Sequence, residues 1–282
     1  MITRINRRLQ KQFVTPRQIE GFQTHRDPLM RAVGEALAAH QAGRLTAQEE
    51  DVIERIEKIR AELCRSREQL VVPDYGAGSP DSTLAESRQS EGPVVVEIVG
   101  DVCQNFSKPR VWATLLFQLV RHTKPVVCVE LGTCLGISAA YQSAALSLNN
   151  HGKLTTLDGA PSFAGVAARN LETLKLTPWA SVVVGRFQDT LPGLLAGPKI
   201  DYAFIDGHHD EQATLRYYEM FLPHLAERST LIFDDISWSK GMSAAWNQIR
   251  RHPRVDVSLD CSSVGICLLG AEAREHHDLV LV

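Results

Sequence analysis

Paired cysteines are what this sequence most plainly lacks. Its six cysteines (Cys64, Cys103, Cys128, Cys134, Cys261 and Cys267) show no CxxC spacing, and several stand in apolar runs where cysteine acts as a small hydrophobe. This argues against a structural zinc site and suits a reducing, cytoplasmic setting. No run reaches the roughly 18 apolar residues that span a bilayer. The opening MITRINRRLQKQF is basic but has no apolar core behind it, so neither secretion nor a membrane location is expected. A basic excess is missing too: 30 Lys and Arg face 33 Asp and Glu, for a net charge of -3. Nucleic-acid partners, which need a positive face, are therefore not expected. Internal repeats are absent.

What is present is ordinary globular material, 44% hydrophobic and 22% charged over 282 residues. That length allows one large domain, or a domain of about 150 to 200 residues with an appendage. Two patterns divide it into a helical extension, residues 1–92, and an α/β domain, residues 93–282. In the extension, Pro28 to Ala42 reads as a helix. TAQEEDVIERIEKIRAELCRSREQL (46–70) reads as a longer one, with Val52, Ile53, Ile56, Ile59 and Leu63 on one stripe. That stripe needs a surface, either the α/β domain or a second subunit, so a homodimer through these helices is one arrangement it allows. DYGAGSPDSTLAESRQSEGP (74–93) reads as a linker or mobile loop that could act as a lid, and the GxG at Gly76 and Gly78 as a simple turn.

From Val94 onward, apolar runs alternate with amphipathic stretches, the mark of a mostly parallel, doubly wound sheet covered by helices. Strands are expected at VVCVEL, KLTTLD, ASVVVG, DYAFID and STLIFD. RVDVSLD and VGICLLG, joined by the short Cys261-Ser262-Ser263 turn, should form an antiparallel C-terminal hairpin. Helices are expected at residues 108–122, 137–148, 163–174, 191–195, 211–225 and 240–251.

The stretch VVCVELGTCLGIS (126–138) ends a buried strand in a carboxylate and then strips the turn of side chains. A glycine turn opening a helix lets a ligand approach the backbone near the positive end of the helix. A nicotinamide-binding turn would read GxGxxG, but here Gly132 and Gly136 are separated by three residues. Glu-Leu-Gly-x-x-x-Gly, followed by an acid at the end of the next strand, resembles the class I S-adenosylmethionine-dependent methyltransferases from about Asn105 to Gly270. The resemblance implies a Rossmann-like fold with that terminal hairpin, and S-adenosylmethionine as cofactor. It places Gly132 and Thr133 against the amino acid moiety and Ser138 on its carboxylate. Glu130 takes the ammonium or shapes the turn, and Asp158 accepts the ribose hydroxyls. Phe187 and Gln188, in GRFQDTLP, match positions that flank adenine in the catechol-type branch. Lys108 and Ser107, in QNFSKPR, are candidates to close over the amino acid end.

A second constellation lies in DYAFIDGHHD and LIFDDISWS, where carboxylates follow apolar strands that should be neighbours. Three carboxyl groups at one strand-end face require protonation or a cation. The chain resembles the metal-dependent, catechol-type and natural-product-tailoring O-methyltransferases at Asp206, Asp234 and Asp235. That resemblance implies Mg²⁺ on these three residues, with Asp206 also lining the cofactor pocket. Where those enzymes commonly carry a Lys or Asp base, this sequence has His208 and His209, whose imidazole pKa suits deprotonation of a hydroxyl. His208 is preferred by its spacing from Asp206. Trp238 is placed to wall a planar substrate, whereas Trp246 reads as core. The expected function is methyl transfer to an oxygen of a small molecule, assisted by Mg²⁺ and a histidine base. A metal-independent enzyme acting on a carboxylate or amine, a nucleotide-dependent oxidoreductase and a non-catalytic cofactor-binding scaffold are the alternatives.

Overall fold

The computed structural model describes residues 16–73, 75, 92–270 and 277–280. Three helices come first: α1 (Pro16–Gln23), α2 (Pro28–Gln41) and α3 (Ala47–Leu63). Asp27 caps α2 by accepting from the Leu29 and Met30 amides, with Pro28 supplying a preset first turn. Thr46 and Glu49 form a reciprocal capping box on α3. The expected stripe is real, with Ile53, Ile56 and Ile59 buried. Helix α3 stops at Leu63, short of the expected end, because Gln69–Pro73 is a strand, β1, paired antiparallel with β2 (Val94–Ile98). Helix α1, this ribbon and α4 (Val99–Phe106) were not expected from the sequence. Short elements of this kind carry too few periods to register. The proposed lid, with Gly76 and Gly78, lies almost wholly outside the described residues.

The α/β part follows in the order α5 (Arg110–Thr123), β3 (Val127–Leu131), α6 (Ile137–Asn149), β4 (Lys153–Asp158), α7 (Pro161–Thr173), β5 (Ala180–Val184), α8 (Phe187–Leu195), β6 (Ile200–Ile205) and α9 (Glu211–Phe221). After a short 3-10 turn come β7 (Leu225–Phe233), α10 (Lys240–Ile249), β8 (Val255–Cys261), β9 (Val264–Leu269) and β10 (His277–Val280). The main sheet runs β10-β8-β9-β7-β6-β3-β4-β5. Strands β3 to β7 pair in parallel and β9 is antiparallel to both β7 and β8, which is the expected hairpin. Central strands such as VCVEL and IDYAFI are covered on both faces, so they read as continuous apolar runs without alternation.

The extension does not stand apart from this sheet. Helix α2 packs on α5 and α3 on α6, and Ile53, Ile56 and Phe22 share one core with Phe117, Tyr141 and Phe204. Polar ties reinforce the contact: Tyr141 donates to Glu57 (2.7 Å), Arg121 pairs with Glu49 (2.8 Å) and Arg228 with Asp27 (2.7 Å). The stripe of α3 is thus spent within the chain. Among the described residues no helix is long and apolar enough to cross a membrane.

Candidate active site

Sheet order reverses between β3 and β6, and open α/β sheets bind ligands beyond the carboxyl ends of the strands at such a point. Every acid singled out from the sequence stands at or just past one of these ends. Their surroundings differ, and so do their roles.

Glu130 is fully buried. Its carboxylate accepts from Gln142 Nε2 (2.7 Å) and Thr156 Oγ1 (2.6 Å), and the Ser138 hydroxyl is a third partner. Burial pushes its pKa up to about 7 against the pull of those hydrogen bonds. Glu130 therefore pins β3, β4 and α6 together and is not aimed at a ligand, which also engages Ser138, assigned from the sequence to the cofactor carboxylate. The Gly132 and Thr133 amides are similarly occupied, both donating to the Leu157 carbonyl (3.0 and 3.2 Å). The Thr133 hydroxyl lies 2.6 Å from that of Thr156. Gly132 is required for a different reason than ligand approach. Its φ is +101°, and a Cβ there would lie 1.9 Å from the Asp206 carbonyl oxygen. The bare turn lets the ends of β3 and β6 close on each other.

Asp158 stands at the crevice, 9% exposed. Its Oδ2 accepts from the Cys134 amide (2.7 Å) and its Oδ1 from the Ala160 amide (2.8 Å), with the Thr133 amide a third donor, which fixes the carboxylate in place. Burial raises its pKa to about 6. Beside it lies a residue the sequence reading missed. The ring of Tyr75 packs on Gly159, where a Cβ would sit 2.7 Å from Tyr75 Cδ2, and on Gly92, where one would sit 2.3 Å from Cε1. Two side-chain-free positions thus hold an aromatic ring from the extension against the end of β4. A lone tyrosine within the Gly-, Ser- and Pro-rich sequence 74–93 carries no periodic signal. Phe187 is buried edge-on against His208 (centroids 5.5 Å apart) and Tyr217 (5.6 Å), and Gln188 is exposed.

At the ends of β6 and β7, Asp206 and Asp234 lie side by side. Lys108, only 9% exposed, is hydrogen-bonded to Asp234 Oδ2 and lies 3.3 Å from Asp206 Oδ2. Its ammonium is also 5.8 Å from the centre of the Phe204 ring. Lys108 therefore reaches the carboxylates, and the expectation that it would close over the cofactor's amino acid end gives way to this contact. Burial would raise Asp234, but Lys108 first and then His209 hold it below its ordinary value. Asp206 is pushed well above its usual range by burial and by the neighbouring Asp234, with Lys108 opposing.

The two histidines part company. Both have positive φ, +64° at His208 and +47° at His209, and their side chains meet different partners. His208 Nδ1 is 3.0 Å from the Tyr217 hydroxyl, in the aromatic cluster with Phe187. His209 lies between carboxylates, Nε2 3.5 Å from Asp206 Oδ1 and Nδ1 3.9 Å from Asp235 Oδ2. Trp238 flanks it, with ring centroids 5.9 Å apart. The structure brings His209, and not the favoured His208, to the acidic cluster. Burial lowers the His209 pKa while Asp235 and Asp234 pull the other way. Trp246 is core, as expected, and donates to Asp260 (3.2 Å).

The expected trio of metal ligands does not converge. Asp235 sits in left-handed backbone (φ +51°) on the far nitrogen of His209, while Asp206 and Asp234 face Lys108. Among the described residues no group of three or more His, Cys, Asp or Glu is arranged to hold a metal ion. The oxygens a divalent ion would need are those an ammonium already holds. The residues present thus do not fit Mg²⁺ as they stand.

This sheet order, with an acid at the end of β4 and a charged cluster beyond β6 and β7, is that of a Rossmann-like α/β fold with a candidate site at its switch point. Residues 129–236 match a family model described as a methyltransferase domain. The chain is 36% identical over 110 residues to a catechol O-methyltransferase from Niastella koreensis, and 35% identical over 107 residues to one from Mycobacterium tuberculosis. Each match covers 38% of this chain and about half of the relative, 47% and 46% respectively. Among solved structures, an O-methyltransferase from Bacillus cereus in complex with SAH aligns with a TM-score of 0.51 at 19% identity, covering 78% of this chain and 90% of that one. The SAM-bound O-methyltransferase TomG from Streptomyces achromogenes, involved in tomaymycin synthesis, aligns at 0.50 and 19% identity, covering 59% and 83%.

Proposed function

We propose that this protein is an S-adenosylmethionine-dependent O-methyltransferase acting on a small hydroxylated molecule. The observation that carries the reading is the fixed Asp158 carboxylate at one strand end, with the His209 imidazole held between Asp206 and Asp235 at the neighbouring ends. The similarity to two catechol O-methyltransferases supports it, and residues 129–236, which match the methyltransferase-domain model, include these strand ends.

S-adenosylmethionine, when bound, supplies an electrophilic methyl group. The residues present fit that cofactor. Asp158 offers a fixed carboxylate to a ribose diol, and the Tyr75 ring beside Gly159 offers an apolar face for the base. The first amides of α6, from Ile137 to Ala139, have no acceptor within the helix and suit a carboxylate. On the acceptor side, His209 takes the hydroxyl proton as the new oxygen–carbon bond forms and the sulfur–carbon bond breaks. Burial, which lowers its pKa, favours the neutral imidazole that a base requires, and the flanking Asp206 and Asp235 side chains stabilise the imidazolium that results. Trp238 supplies one wall for a planar acceptor, and positioning accounts for much of the rate. No step requires the His208 ring.

Two measurements test this. Calorimetry should show S-adenosylmethionine binding that Asp158→Ala weakens, and S-adenosylhomocysteine should accumulate with a catechol or related phenol. In that assay His209→Ala should lower turnover about 100-fold with cofactor affinity retained. Absence of cofactor binding, or a His209→Ala variant as fast as wild type, would reject the reading.

A further inference from the structure

We propose that the ammonium of Lys108 is the resident cation of the Asp206 and Asp234 pair, and that the site operates without a bound divalent metal ion. Its consequence for catalysis rests on the methyl-transfer reading above, whereas the occupancy of the pair rests on geometry alone.

The two carboxylates lie on adjacent strands, β6 and β7, and their Oδ2 atoms point to one gap. Lys108 fills it from the segment that leads into α5, one residue before the N-cap position Pro109. The side chain is 9% exposed, so its charge has exchanged water for these two partners and the face of Phe204. Withdrawal of the lysine would leave a buried acidic pair without a counter-charge, which proteins rarely tolerate. A magnesium ion demands oxygens at about 2.0 to 2.1 Å in an octahedron. It would have to take the oxygens Lys108 holds and sit beside an ammonium. The third oxygen ligand expected from the sequence, Asp235, lies 3.9 Å from His209 Nδ1, and among the described residues no three acids or other ligating groups are arranged for a metal ion.

Lys108 is thus a positioning residue. It fixes Asp206, and Asp206 Oδ1 in turn lies against His209 Nε2. A single intramolecular charge from the segment before α5 replaces what an exchangeable ion would otherwise do for the acidic pair.

Titration of the full chain with Mn²⁺, followed by electron paramagnetic resonance, tests the proposal independently of turnover. The wild type should show no stoichiometric binding. Lys108→Met should take up one Mn²⁺ per chain, tighter on the order of a hundredfold, and adding Asp234→Asn should abolish the gain. One tightly bound Mn²⁺ in the wild type would overturn the proposal. So would a folded Lys108→Met variant that binds none, because the lysine would then not be what holds the carboxylates. Should that variant fail to fold, the wild-type titration decides. Cofactor calorimetry on the same samples reports on the methyl-transfer reading by itself, so either can fail alone.

Discussion

Glu130 and Asp158 show how two acids at strand ends take different work from their surroundings. Glu130 is held by Gln142, Thr156 and Ser138 with no exposure, and its pKa in the fold, about 7, lies above the 4.5 of an unperturbed glutamate. A raised acid favours the protonated fold, so stability is fully present below about pH 4.5 and declines as pH rises to about 7. The loss amounts to roughly 3 kcal/mol. Glu130→Gln should remove that slope, which urea unfolding at pH 4.5, 6 and 7.5 would reveal. Asp158 behaves differently because its carboxylate is expected to meet a ligand. Ribose hydroxyls donate to the ionised form, and its pKa is about 6, so cofactor affinity should fall about tenfold between pH 7 and pH 5. Calorimetry across that range checks it, and a flat profile would remove Asp158 from the site. Both residues are legible in the sequence as acids closing apolar strands. Their difference is not, since it depends on whether distant donors surround the carboxylate.

At the scale of elements, turns decide which strand ends can meet. Gly132 lies against the Asp206 carbonyl with φ +101°, so Gly132→Ala should cost about 3 kcal/mol or more and appear as a lowered midpoint in thermal unfolding. The glycines of ELGTCLG identify the motif in the sequence, but whether such a glycine serves a ligand or a neighbouring strand is decided by what packs on it. The β1–β2 ribbon makes the same point. Ser162 donates to the Val71 carbonyl (2.7 Å), which ties the ribbon to α7, and Tyr75 follows directly beside Gly159. Tyr75→Ala is expected to weaken S-adenosylmethionine binding about tenfold while leaving the unfolding midpoint within a degree or two. An unchanged dissociation constant would place the ring outside the cofactor site.

Over the whole molecule, extension and sheet share a core, so they should not unfold separately. Ile56 is 1% exposed beneath α6, and Ile56→Ala should cost about 2 to 5 kcal/mol. The loss should lower one common transition followed by circular dichroism and by tryptophan fluorescence, rather than split it in two. A variant that melts the extension alone would contradict the shared core. The division at residue 92 seen in the sequence marks a change of pattern without marking a boundary in packing.

The sequence by itself determined most strands of the main sheet and the antiparallel pair near its C-terminal end, because buried parallel strands must be apolar along their length and a two-residue turn can join only an antiparallel pair. It also determined which acids end those strands. Only the tertiary structure decided that Lys108 enters the acidic pair, that His209 and not His208 faces it, and that Tyr75 lies on Gly159. Periodicity governs which face of an element is buried. Contacts across 97 or more residues, such as Lys108 with Asp206 and Asp234, depend on where separate elements bring their side chains, which no local pattern encodes.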